Sequence, residues 1–223
     1  MPYPLPRTRV KICGLTRAED AKVVVRAGAD AVGLVFYPGS PRNVTVDMAR
    51  AVIAEIPAFV TVVALFVDEA PERVRDILGS VRIDLLQFHG DESPESCKQF
   101  GKPWIKAVRV RPDLDLVECA GRYGEGQGIL LDAWDPNAYG GTGISFDWTT
   151  IPEGLADRVI LAGGLDPSNV GRALEVAGPY AVDVSSGVEA AKGIKDAAKV
   201  QAFFNEVKEF DYRSKRSPGV RLP

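Results

Sequence analysis

The side chains with chemical potential in this sequence stand at the ends of short apolar runs. Arg9-Val10-Lys11-Ile12-Cys13 ends in a thiol, and Leu130-Leu131-Asp132 ends in a carboxylate. Leu86-Gln87-Phe88-His89 ends in an imidazole, and Val182-Asp183-Val184 carries a second carboxylate. An unperturbed thiol titrates near about 8.5, and a helix N-terminus or a nearby cation brings it towards neutrality. With a helix expected from Thr16, Cys13 is a candidate reactive thiol. The bland alternative is a buried cysteine packing as a small hydrophobe. Asp132 reads as a catalytic carboxylate at a strand end, against the alternative of a turn residue satisfying loop amides. Gln87 and His89 share one strand face and point polar groups inwards, either at a ligand or into a satisfied core.

A second group of residues reads as anion-binding. Gly163-Gly164 and Ser185-Ser186-Gly187 follow two late apolar runs, where barrels commonly hold phosphate on backbone amides and a short extra helix; simple tight turns are the alternative. Tyr37-Pro38-Gly39-Ser40-Pro41-Arg42 is a stiff loop presenting one guanidinium, suited to a planar carboxylate or phosphate, or else simply solvated.

These residues must be placed by strands, because in a strand alternate side chains share a face. Eight β-branched apolar runs qualify, near Arg9–Cys13, Ala31–Phe36, Val60–Val67, Leu85–Phe88, Trp104–Val108, Gly128–Leu131, Val159–Ala162 and Ala181–Val184. Each is followed by a turn and, in nearly every case, a segment of helical period, which predicts a parallel α/β sheet. Lys11 and Cys13 then share the inward face of the first strand. Eight units in 223 residues predict a single-domain (β/α)8 TIM barrel over residues 8–210, with an open doubly wound sheet as the alternative. Thr16-Arg17-Ala18-Glu19 reads as a capping box, and Ser93-Pro94 and Asp166-Pro167 each read as a cap followed by proline at the first helical position. Val200, Phe203, Phe204 and Val207 form the apolar stripe of a last helix from about Asp196. The glycine-rich segment Ala133–Ser145 is long for a βα loop and is expected to be functional. The polar residues 211–223 are expected to form a flexible C-terminal tail.

Composition excludes several classes. Apolar residues make up 46% and charged residues 26% of the chain, with 27 basic and 30 acidic residues intermixed, so a real core is expected and a nucleic-acid stripe is not. The three cysteines show no C-x-x-C spacing and there is one histidine, which argues against a disulfide scaffold and a structural metal. No apolar run suits a signal peptide or a membrane span, so a reducing, cytoplasmic location and no membrane partner are expected.

Taken in order, Lys11-Ile12-Cys13-Gly14, Gly33-Leu34-Val35-Phe36-Tyr37, Ser40-Pro41-Arg42 and Gln87-Phe88-His89-Gly90 resemble the phosphoribosylanthranilate isomerase family. Leu130-Leu131-Asp132, Tyr139-Gly140-Gly141-Thr142-Gly143, Leu161-Ala162-Gly163-Gly164-Leu165 and Val182-Asp183-Val184-Ser185-Ser186-Gly187-Val188-Glu189 continue the likeness, which spans about residues 8–207. The resemblance implies an Amadori rearrangement of a phosphosugar in tryptophan biosynthesis, using one acid and one base and no cofactor or metal. It makes Asp132 the general acid and Cys13 the general base. It assigns Arg42 to the substrate carboxylate and Gly163, Gly164, Ser185, Ser186 and Gly187 to the phosphate, with Gln87, His89 and Asp183 against the substrate. The loop Tyr139–Gly143 is expected to close over the site. Asn43, Asp68 and Lys192 depart from the residues usual in the family, and Asn43 puts one wall of the ring pocket in question. The rival readings are another phosphosugar barrel, such as an indole-glycerol-phosphate synthase-like lyase, and a noncatalytic phosphometabolite-binding barrel. A monomer or homodimer fits equally.

Overall fold

Each apolar run becomes a strand with one side chain set against the helices and the other in the barrel interior. In the computed structural model, which describes residues 7–111, 113–133 and 145–216, the strands are β1 (Arg9–Cys13), β2 (Ala31–Val35), β3 (Thr61–Phe66), β4 (Leu85–Phe88), β5 (Trp104–Val110), β6 (Ile129–Ala133), β7 (Val159–Leu161) and β8 (Ala181–Val184). All eight pair in parallel and in sequence order, and β8 pairs with β1 to close the barrel. Closure rules out the open sheet.

Seven α-helices surround the barrel among the described residues: α1 (Ala18–Ala27), α2 (Val46–Ile53), α3 (Pro71–Ser80), α4 (Pro94–Lys98), α5 (Leu116–Arg122), α6 (Val170–Ala177) and α7 (Ala197–Arg216). Between β6 and β7 the helical position is filled by short 3-10 segments, Trp148–Thr150 and Glu153–Arg158. A two-stranded hairpin, β9 (Glu189–Ala191) and β10 (Ile194–Lys195), follows β8. The main core lies between strands and helices, where Val10, Ile12, Val200, Phe203, Phe204 and Val207 are all buried. Inside the barrel Ile105, Leu130, Ile160 and Ala181 pack as one small cluster, and Cys13, Val35, Leu65 and Val67 as another. No described helix is long and apolar enough to cross a membrane.

Three local expectations need correction or refinement. Ser93 does cap α4, accepting from Ser96 N with Pro94 at the first helical position. Thr16 does not cap α1; its hydroxyl donates to the Gly193 carbonyl at 2.6 Å, and the helix begins at Ala18 without a side-chain cap. Asp166 starts a turn rather than a helix. Its Oδ1 accepts from Ser168 N and Oγ, both at 2.6 Å, and α6 begins at Val170.

The expected break at residue 210 is also absent. Helix α7 continues to Arg216, and the Asp211 carboxylate accepts from Thr8 N at 3.0 Å and Thr8 Oγ1 at 2.8 Å. Hydrogen bonds to a charged group contribute about 1.5–3 kcal/mol each. Asp211→Ala is therefore expected to lower stability by about 1–3 kcal/mol, or about 2–4 °C in Tm per kcal/mol for a chain of this size. Thermal unfolding followed by circular dichroism measures it, and an unchanged Tm would return Asp211 to the tail.

Candidate active site

The C-terminal ends of the strands surround a cavity of about 320 Å3. Ten of the eleven residues singled out from sequence line it: Cys13, Arg42, Gln87, His89, Asp132, Gly163, Gly164, Asp183, Ser185 and Ser186. Gly187 stands just behind. A Cβ on Gly187 would collide with the Leu165 carbonyl, so this glycine lets the loops after β7 and β8 lie against each other. The loop Tyr139–Gly143 lies outside the described residues.

Cys13 ends β1 and is 7% exposed. Its register partner on β2 is Gly33, where a methyl group would lie 2.8 Å from Cys13 Sγ and 3.2 Å from Lys11 Nζ. That glycine makes room for the sulfur. Contrary to the expectation of an acidified thiol, burial pushes Cys13 up, and Lys11 and Lys195 only partly offset it. Helix α1 begins five residues on and is too distant to help.

Lys11, two residues earlier on the same face, is opposite Asp183 in the β1–β8 register and bonds its Oδ2 at 2.9 Å. The second Asp183 oxygen is buried without a partner among the described residues. Across the cavity Asp132 accepts from the Ala133 amide through Oδ1 at 2.9 Å. Its Oδ2 is 3.3 Å from His89 Nε2, but that nitrogen makes no aligned hydrogen bond among the described residues. Gln87 Nε2 is 3.1 Å from His89 Nδ1. Gln87 Oε1 is also buried and has no partner among the described residues. Buried orphans are costly unless something fills them, and three here line the same cavity.

Arg42 is buried, not solvated. Its Nε and Nη2 both bond Glu189, each at 2.8 Å. Lys195 Nζ also reaches Glu189 Oε1 at 2.9 Å and the Ser185 carbonyl at 3.1 Å. Burial resists ionisation of Glu189, but its bond from Arg42 and the charge of Lys195 outweigh it and hold the carboxyl below its ordinary value. The guanidinium therefore offers a ligand its Nη1 edge, not its whole fork. Lys192 is exposed at the β9–β10 turn. Asn43 bridges to Val35 through backbone alone.

At the opposite side, Gly163 and Gly164 adopt φ of 83° and 63°, which favours glycine. Neither amide donates to an acceptor among the described residues. Ser186 opens a short 3-10 turn, Ser186–Val188, where the expected extra helix falls. Gly187→Ala should separate these two loops. The expected result is a KM about tenfold or more higher with kcat changed less, the pattern for loss of a charge-assisted anion contact made equally in ground and transition states. Steady-state kinetics measures both constants, and an unchanged KM would exclude the loops from binding.

Fold and site together define a (β/α)8 barrel of the enzyme type, with a thiol, a carboxylate, a guanidinium and two glycine turns gathered around one cavity at the C-terminal ends of its strands. Comparison with known proteins is specific. Residues 10–206 match the model of the N-(5′-phosphoribosyl)anthranilate isomerase family. N-(5′-phosphoribosyl)anthranilate isomerase of Thiobacillus denitrificans is 56% identical over 200 residues, covering 90% of this chain and 98% of that protein. Phosphoribosyl anthranilate isomerase of Thermotoga maritima superposes with a TM-score of 0.82 at 42% identity, covering 91% of this chain and 99% of its own. A further solved phosphoribosyl anthranilate isomerase, in complex with reduced 1-(o-carboxyphenylamino)-1-deoxyribulose 5-phosphate, gives a TM-score of 0.79 at 42% identity, with coverage of 91% and 99%. The chain belongs to the N-(5′-phosphoribosyl)anthranilate isomerase family.

Proposed function

We propose that the chain catalyses the Amadori rearrangement of N-(5′-phosphoribosyl)anthranilate to 1-(o-carboxyphenylamino)-1-deoxyribulose 5-phosphate, a step of tryptophan biosynthesis. The observation that carries this reading is one cavity lined by Cys13 and Asp132 together with Arg42, Gly163, Gly164, Ser185 and Ser186.

Asp132, holding a proton, donates it to the furanose ring oxygen, the C1–O bond breaks, and the anilino nitrogen pushes its lone pair in to form the Schiff base. Cys13 as thiolate takes the proton from C2, and the electron pair returns through C1 to nitrogen to give an enolamine. The enolamine tautomerises to the ketone. Arg42 holds the anthranilate carboxylate by its Nη1 edge. The amides of Gly163, Gly164, Ser186 and Gly187, with Ser185, hold the phosphate. Anchoring both ends spends remote binding energy on orienting the sugar between acid and base. Gln87, His89 and the free oxygen of Asp183 face the sugar hydroxyls and nitrogen between them.

Lysine-based lyase chemistry is disfavoured by where the interior lysines are held. Lys106 Nζ is tied to the carbonyls of Phe88, Gly90 and Ala107 and to Glu92, and Lys11 is held by Asp183. The test is the loss of anthranilate-type fluorescence when the protein meets freshly made N-(5′-phosphoribosyl)anthranilate. Rapid loss is expected, and no turnover by folded protein would refute the reading.

A further inference from the structure

We propose that Lys11 is the positioning residue for the base: its ammonium, clamped by Asp183 beside the sulfur, is the fixed positive charge that stabilises the Cys13 thiolate. The inference rests on the reading of Cys13 as the proton acceptor and supplies what that reading lacks, a source of ionisation in a buried site.

A sulfur removed from water loses the solvation of its anion, so a buried thiol needs a neighbouring cation to act as a base. Strand parity puts Lys11 and Cys13 on the same inward face of β1, and both approach the space left open by Gly33. The Lys11 side chain is 6% exposed, and its Nζ is 2.9 Å from Asp183 Oδ2. That bond uses one of three ammonium protons, and Asp183 is the sole hydrogen-bond acceptor of Nζ among the described residues. A methyl group on Gly33 would meet the sulfur at 2.8 Å and the ammonium at 3.2 Å, so the two share that gap and the positive charge favours the thiolate.

The remaining charges facing the sulfur do not replace Lys11. Asp183 on β8 is negative and opposes ionisation of the thiol. Lys195 on β10 favours it, but its ammonium is occupied by Glu189 and the Ser185 carbonyl. Arg42, on the loop after β2, is paired through two nitrogens with Glu189. Asp183 thus has two effects: it keeps a buried ammonium charged and in place, and it tempers the field at the sulfur.

The test is the pH dependence of Cys13 alkylation by iodoacetamide, read peptide by peptide by mass spectrometry, with Cys119 of the same chain as reference. In Lys11→Met the Cys13 midpoint is expected to rise by about 1–3 pH units, the usual effect of losing an adjacent opposite charge, while Cys119 is unmoved. Lys11→Arg should restore the midpoint. The kcat/KM profile of Lys11→Met should be displaced to higher pH by the same amount, recovering activity in alkali that a merely structural defect would not recover. Lys11→Gln removes the charge while keeping an N–H donor for Asp183, and should raise the Cys13 midpoint in the same way, which decides the matter should Lys11→Met fail to fold. A Cys13 midpoint unmoved in either variant overturns the proposal. Full turnover by Cys13→Ser would instead remove Cys13 as base and leave the alkylation shifts standing.

Discussion

Cys13→Ser is expected to lower kcat by about 10²–10⁴-fold, the usual worth of one positioned proton transfer, while leaving affinity for the reduced product analogue near that of the unaltered protein. Serine keeps the size of the side chain, and its hydroxyl cannot supply an anion at neutral pH. The Gly33 gap that admits the sulfur admits the smaller oxygen too, so loss of fold does not confuse the result. Stopped-flow turnover and a binding titration with the analogue separate chemistry from binding. A serine variant with unaltered kcat would remove the thiol from the reaction.

Asp132→Asn should cost about as much, again in kcat. The amide oxygen can still accept from the Ala133 amide as Oδ1 does now at 2.9 Å, so the β6 end should keep its shape. What is lost is the transferable proton. The ring oxygen would then leave unprotonated, and the sugar would stay closed. Because the two groups serve successive steps, the double variant should be less impaired than the product of the two single losses. A substantial kcat in Asp132→Asn would move the acid elsewhere, with His89, 3.3 Å from the Asp132 carboxylate, as the next group to replace.

The strands were readable because a barrel strand is buried on both faces and needs an unbroken β-branched run. Three of the eight were placed to the residue, β1, β4 and β8, and the others differ by one or two residues at an end. Helix starts were less readable, since a hydroxyl near a helix has other possible partners. Thr16 is engaged by a carbonyl 177 residues away, which no local pattern contains. Residues 211–216 look like a tail by composition, but one carboxylate finding Thr8 holds the helix there.

The site divides in the same way. Cys13, Gln87, His89, Asp132 and Asp183 follow from parity and strand ends, and they do converge. Lys11 is legible by the same parity, as a charge inside a buried strand, but its partner Asp183 lies 172 residues away. Glu189 and Lys195 were invisible as a pair with Arg42, because their relation crosses 147 residues of chain and depends on the β9–β10 hairpin folding back. Arg42 does line the cavity, and two of its guanidinium nitrogens are taken by Glu189.

The pairing of β1 with β8 has a bearing on the order in which this chain acquires its parts. Lys11 to Asp183 spans 172 residues, and the Arg42 clamp is nearly as long-range. Contacts this far apart in sequence bear the largest loop-closure entropy and form late. A nascent or half-assembled chain can therefore carry several finished βα units and still have neither the Lys11–Asp183 pair nor the Arg42–Glu189 pair. Catalytic competence arrives with the last seam, so the cell gains an active molecule only once the whole circle has been drawn.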